Sequence, residues 1–259
     1  MITNHISTYE TRNTEYKKIH AVSEESYTKV IESLKLFSDA KFADVMAGHG
    51  EMSDAVIKYC ADKGFYVQGI ILDAYEAQLP KNHPFKKIVG DIREPILESN
   101  SLDRLVIKLG LHEIPNVDQE KAISQIYNSL KPGGIGVFWE LGLSDVHEQE
   151  IFQQIVRKKD ELAGFDDLVK NRYFCMESEL RAYFQKCRFS KIELMYLEKF
   201  HINTSKWLEN DLAKDSNKLY QLNEYIISLP EFLRKQYNFK KENNNISMDF
   251  AWPIFRVTK

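Results

Sequence analysis

The chain has 259 residues, 43% hydrophobic and 28% charged, and its 35 Lys and Arg against 38 Asp and Glu leave a formal net charge of −3. Disorder needs low hydrophobicity with high net charge, and polyanion binding usually shows an excess of positive charge, so this composition points away from both. The length admits one large domain or two small ones, either able to bury an ordinary core.

Residues 1–27 are polar and rich in Tyr, Thr, Glu and Lys, and from about Ser23 the spacing of Tyr27, Val30, Ile31, Leu34 and Phe37 follows one helical face. A tail therefore leads into an amphipathic helix. Phe42 to Met46 reads as a strand, Ala47-Gly-His-Gly50 as a turn, and Ala55, Val56, Tyr59 and Cys60 as one face of a helix that stops at Gly64. Phe65 to Leu72 is a second strand, Ile88-Val89 a short third one after the Pro80 to Pro84 loop, and Leu102 to Leu109 a fourth. Glu120 to Leu130 carries Ile123, Ile126, Tyr127 and Leu130 on one helical face, and Ile135 to Leu141 is a fifth strand opened by Lys131-Pro-Gly-Gly134. These strands lack a polar residue at every second position and alternate with helices, the pattern of a parallel sheet covered on both faces.

From Glu148 the pattern changes to a charged helix reaching about Ala163, a Gly164-Phe-Asp-Asp loop, a helix Glu177 to Gln185 and a strand Ile192 to Phe200. Residues 205–240 read as helical and highly charged with a break at Pro230, and Asp249 to Val257 as a closing strand. No Gly/Ser/Pro-rich linker and no repeat interrupts the chain. It reads as one α/β domain: an N-terminal helix and lid (1–38), a core (39–145), and substrate-side helices with closing strands (146–259), including a helical insertion before the last strand.

No apolar run reaches the roughly 18 residues of a membrane span, and the first residues lack the apolar stretch of a secretory signal, so a cytoplasmic protein without membrane contact is expected. Cys60, Cys175 and Cys187 are odd in number and lack C-x-x-C spacing, so they read as buried or idle thiols. No His or Cys pair has metal spacing, and no metal is expected.

In an open parallel sheet, ligands sit beyond the carboxyl ends of the strands. Asp44-Val-Met-Ala-Gly-His-Gly50 places a glycine-bearing turn there. Asp73 ends the second strand, 25 residues after Gly48, where a carboxylate can accept both hydroxyls of a ribose. Asp91-Ile92 follows the third strand, where a carboxylate and an exposed amide can read an adenine.

Five segments in order, Asp44 to Glu51, Gly69 to Asp73, Gly90-Asp-Ile92, Ser101 to Ile107 leading to Leu111-His-Glu-Ile114, and Leu130 to Phe138, make the chain resemble the class I S-adenosylmethionine-dependent methyltransferases. The resemblance covers roughly residues 40 to 142 and is strongest to the ubiquinone/menaquinone-biosynthesis-like small-molecule branch. It implies a Rossmann-like, mostly parallel seven-stranded sheet with helices on both faces and an antiparallel last strand. It also implies that Gly48 and Gly50 face the methionine part of S-adenosyl-L-methionine, Asp73 the ribose, and Asp91 with the Ile92 amide the adenine. The main chain at Lys108 and Leu109 is expected near the methionine amino group. Asp44, Ala47 and Ala74 complete the expected cofactor-binding set, together with Tyr16, which can reach the methionine carboxylate if the tail folds over as a lid. An exposed tail remains the alternative.

Two departures stand out. Ala47 occupies the place expected for the glycine that opens the turn, which is costly only where φ is positive. The 29 residues from Asp44 to Asp73 are somewhat long, and extra residues in the intervening helix or its exit loop would absorb them. A nicotinamide dehydrogenase shares the glycine turn and the ribose acid, but Ser53 stands where that fingerprint needs a small third glycine or alanine, and Asp91-Ile92 has no dinucleotide rationale.

Methyl transfer needs positioning above all, and a base only where the acceptor must lose a proton. His112 beyond the fourth strand and His201 beyond the sixth are the catalytic candidates, with Glu140 and Glu113 behind them and packing or solvation as their alternative roles. His49 is expected to shape the turn. Phe165, Tyr173, Phe174, Trp207, Leu208, Tyr220 and Tyr225 are the pool for an aromatic-walled acceptor pocket, although helical spacing also suits a core. The basic clusters Lys17-Lys18, Arg157-Lys-Lys159 and Lys240-Lys241 are short and lie among acids, and the stretch 206–218 reads as a solvated face. A small-molecule acceptor is therefore expected rather than nucleic acid, with RNA, protein or a non-catalytic binding module as alternatives.

Overall fold

The computed structural model describes residues 23–259. Ser23 caps the first helix, α1 (Glu24–Leu34), its hydroxyl accepting from the Ser26 amide, and Val30, Ile31 and Leu34 form the buried stripe that the sequence spacing requires. The core then alternates as expected: β1 (Lys41–Val45), α2 (Glu51–Asp62), β2 (Gln68–Asp73), β3 (Lys86–Val89), β4 (Leu102–Lys108), α3 (Asn116–Ser129) and β5 (Leu130–Trp139). The second half runs α4 (Val146–Ala163), α5 (Asp166–Asn171), α6 (Glu177–Lys186), β6 (Lys191–Asn203), α7 (Thr204–Asn210), α8 (Ser216–Ser228), α9 (Glu231–Gln236), β7 (Lys240–Glu242) and β8 (Asn245–Thr258).

Seven strands make one sheet in the order β3-β2-β1-β4-β5-β8-β6, with the short β7 paired on β8. β1 to β5 are mutually parallel. β8 is inserted antiparallel between β5 and β6. This is the Rossmann-like sheet expected, with its helical insertion α7 to α9 ahead of β8. Three strand starts differ most from the sequence reading: β2 begins at Gln68 rather than Phe65, β5 takes in Lys131 to Gly134, and β8 begins at Asn245 rather than Asp249. Phe65 is instead drawn back against the end of α2, where its amide donates to the Cys60 carbonyl.

Both sheet faces are covered, which is why these strands carry apolar residues at successive positions. Ala43, Val45, Leu105, Ile107 and Phe138 face α3 and α6, while Phe42, Ile71, Val106 and Val137 face α1 and α2. A third cluster forms where β6 and β8 outrun the other strands: Phe250, Met248 and Trp252 pack against Phe152 and Ile155 of α4 and Leu222 of α8. That extension carries the insertion over the carboxyl rim of β1, β2 and β4. All three cysteines are buried, and burial pushes the Cys60 thiol up to about 11. No helix among the described residues is long and apolar enough to cross a membrane.

Candidate active site

A cavity of about 460 Å³ lies over this rim. It is floored by the strand ends and walled on its far side by the second-half helices.

The turn after β1 is fixed from beneath by Asp44, which is 1% exposed and whose Oδ2 accepts from both the amide and the hydroxyl of Ser53 on α2. Burial outweighs these bonds and pushes the Asp44 carboxyl up to about 7. Positive φ occurs at Met46 (+57°), Gly48 (+52°) and Gly50 (+77°), whereas Ala47 keeps a negative one. The position that favours glycine at the opening of the turn is therefore Met46, not Ala47, and alanine at 47 costs nothing. Methionine pays the left-handed strain, and its side chain lies over Gly110, where a Cβ would come within 2.7 Å of the Met46 Cβ.

Asp73 ends β2 at 8% exposure, with Oδ2 accepting from the Gly48 amide and Oδ1 from the Tyr75 amide. A carboxylate offers about four acceptor positions, so these amides leave it capacity for a ribose hydroxyl. Burial pushes its carboxyl up to about 6 against those amides. Ala74, Ile92 and Asp91 also line the cavity, but Asp91 is less free than the sequence reading requires. Arg93 grips it from both its amide and its guanidinium and passes on to Asp118. Burial alone would raise the Asp91 carboxyl, and the Arg93 bonds overcome that and hold it below the usual range. Arg93 itself escaped the sequence reading.

At the end of β4 the Lys108 side chain turns into the cavity wall. Its Nζ is 3.2 Å from Glu51 Oε2 at the start of α2, and it lies over the rings of Tyr27 and Trp139 at 5.6 and 5.9 Å. The Tyr27 hydroxyl donates to the same Glu51 oxygen. Leu109 takes φ +53° and donates its amide to the Trp139 carbonyl, turning the chain out of the sheet. Tyr16 lies outside the described residues.

His112 follows within a short helical turn and lines the cavity, stacked on Phe174 at 5.1 Å. Its Nδ1 is 2.7 Å from Oε1 of Glu140, which is 1% exposed and also accepts from the amides of Leu111 and Leu141. With two amides already donating to Glu140, the shared proton belongs on Nδ1, which leaves Nε2 as the basic nitrogen. His201 also borders the cavity, but within β6 rather than beyond it. It pairs with Asp249 at 2.6 Å, but its side chain is 63% exposed, so the pair lies at the solvent edge of the cavity.

The far wall is aromatic. Phe174 and Trp207 belong to it as expected, whereas Phe165, Tyr173, Leu208, Tyr220 and Tyr225 do not line it; Phe152, Phe200 and Trp252 take their place. Phe200 and Trp252 are cross-strand neighbours stacked at 3.6 Å, a contact that exists only once β6 and β8 pair. Beside them a largely buried ion chain reaches the same cavity: Glu113 to Arg172 at 3.7 Å, Arg172 to Asp160 at 2.8 Å, Asp160 to Lys159 at 2.7 Å, Lys159 to Asp211 at 3.5 Å. Lys159 and Asp211, which read as parts of a basic cluster and a solvated face, are 3% and 6% exposed.

The residues present fit an adenosyl group along the strand ends, where Asp73 keeps acceptor capacity, and the aromatic wall closes the other side of the same cavity. Residues 44–138 match the family model described as a methyltransferase domain. A comparison with curated proteins finds no match. Among solved structures the chain is similar to the YcgJ protein of Bacillus subtilis, at 15% identity and a TM-score of 0.76, covering 92% of this chain and 99% of that one. It is similar to a phosphoethanolamine N-methyltransferase 2 of Haemonchus contortus solved with phosphomonomethylethanolamine and S-adenosylhomocysteine, at 18% identity and a TM-score of 0.58, covering 94% of this chain and 56% of that one. The cyclase SpnF is a further likeness, at 14% identity and a TM-score of 0.57, covering 91% and 80%. At these identities the likenesses carry the fold alone, and a cyclase among them illustrates that function has to be argued from the cavity.

Proposed function

We propose that the chain, whose residues 44–138 match a methyltransferase domain, transfers the methyl group of S-adenosylmethionine to a small organic acceptor seated between His112 and the aromatic wall. The observation that carries this reading is that the ribose-binding candidate Asp73 and His112, whose Nδ1 is held by the buried Glu140, line the same cavity. S-adenosylmethionine, when bound, supplies a methyl group on a sulfonium, whose thioether leaves neutral and needs no acid.

What the chain must supply is placement and, for an acceptor that carries its proton, a base. Phe174 and Glu140 hold the imidazole of His112 from its face and from Nδ1, so Nε2 can take a proton from an oxygen, nitrogen or acidic carbon. The aromatic walls give contact area to a small organic body and exclude water around it. The resemblance of residues 40 to 142 to the ubiquinone/menaquinone-biosynthesis-like branch supports a small-molecule acceptor, as do basic clusters in the sequence that are short and scattered among acids.

The test is a labelled-methyl screen over metabolite pools of the native host, with total RNA and total protein as parallel arms. Label is expected in a low-molecular-weight product, and label confined to RNA or protein would overturn the reading. On the acceptor so found, His112→Ala is expected to lower kcat by about a hundredfold or more, and Glu140→Gln to lower it while leaving donor affinity unchanged.

A further inference from the structure

The strand order lays the donor's parts out in sequence. Asp91 follows β3, Asp73 ends β2, the Met46 to Gly50 turn follows β1, and Lys108 ends β4. An adenosyl group with its base near Asp91 and its ribose at Asp73 must carry the remaining α-amino acid end across the turn toward β4. The charged side chains waiting there are Glu51 and Lys108, both lining the cavity.

Resting on the donor reading above, we propose that the Lys108–Glu51 pair, steadied by Tyr27, recognises the zwitterionic amino acid end of the donor, Lys108 taking the carboxylate and Glu51 the ammonium. A zwitterion presents one charge of each sign a few ångströms apart, and this pair presents the complementary two, with 3.2 Å between Lys108 Nζ and Glu51 Oε2. Both are partly enclosed, at 17% and 29% side-chain exposure, so charge-assisted bonds made there are weakly screened. The surroundings hold the pair without using up its capacity. Tyr27 and Trp139 contact Lys108 through ring faces, and an ammonium has three donors of which Glu51 takes one. Glu51 accepts from Tyr27 and Lys108 on Oε2, and neither bond involves Oε1. The sequence reading placed only the main chain of Lys108 near the amino group. The side chain goes instead toward the helix that follows the glycine turn, with a charge suited to the carboxylate.

The test is calorimetry with two probes that share the adenosine: S-adenosylhomocysteine, which carries the amino acid end, and 5′-methylthioadenosine, which lacks it. Lys108→Met is expected to weaken S-adenosylhomocysteine about ten- to a hundredfold and to leave 5′-methylthioadenosine unchanged, with Lys108→Arg restoring most of the loss. Glu51→Gln should discriminate in the same direction. Unchanged 5′-methylthioadenosine binding also reports that the variants are folded. Equal weakening of both probes, or no weakening of either, would overturn the proposal and leave the donor reading standing. Failure of the wild-type protein to bind either nucleoside would instead overturn the donor reading, and this proposal with it.

Discussion

Asp73 carries a consequence in its own burial. Its folded carboxyl, pushed up to about 6, holds a proton more tightly than an unfolded aspartate at about 3.9, so its ionisation costs stability as pH rises between those values. Asp44 imposes the same sign up to about 7. In the proposed function the ionised Asp73 is the form that would accept ribose hydroxyls. Affinity for S-adenosylhomocysteine is expected to fall as pH drops below about 6, approaching about tenfold per unit, and Asp73→Asn should flatten that part of the profile while binding more weakly at neutral pH. Calorimetric dissociation constants across the range check it; a wild-type profile flat through pH 6 would remove Asp73 from the ribose. Met46 shows the complementary case, a residue whose backbone is strained in the left-handed region for the sake of the turn.

Among the elements, α4 and the loop after α7 are joined through charge rather than apolar contact alone. Asp160 of α4 stands between Arg172 and Lys159, and Lys159 reaches Asp211 just past α7. Removing one member of a buried ion network leaves its partners desolvated without compensation, which costs far more than a surface pair. Asp160→Asn is expected to destabilise the fold by about 3 kcal/mol, the lower end of such losses because Lys159 and Arg172 each retain a second acid. Urea unfolding checks it, and a change of less than about 1 kcal/mol would mean that the chain of ions is solvated, as an exposed network is.

For the whole molecule, the two sides of the cavity come from different parts of the chain, with strand ends below and α4 with the insertion above. A ligand bridging them should stabilise the native state as a unit. S-adenosylhomocysteine at about a hundred times its Kd is expected to add about 2.7 kcal/mol, a rise in Tm of roughly 5–10 °C, and NAD to add nothing. A shift with NAD and none with S-adenosylhomocysteine would place the chain with the dinucleotide folds instead.

The order of strands and helices, the glycine turn and the acids at the ends of β2 and β3 were legible in the residues, because local apolar periodicity and turn chemistry write them within short windows. The antiparallel final strand was legible only through resemblance. The aromatic wall was partly misjudged: Phe200 and Trp252 become neighbours only when strands some fifty residues apart pair, and Tyr220, on a helical face of similar pattern, ends 58% exposed. Glu140 became the partner of His112, and Lys159 and Asp211 became interior ions, through contacts with residues distant in the chain. Composition and spacing determined the sheet and the rim on which a nucleoside would rest. Which charges are buried, which rings line the cavity and which backbone position bears the strain were decided by tertiary structure, since burial and pairing are properties of neighbours in space.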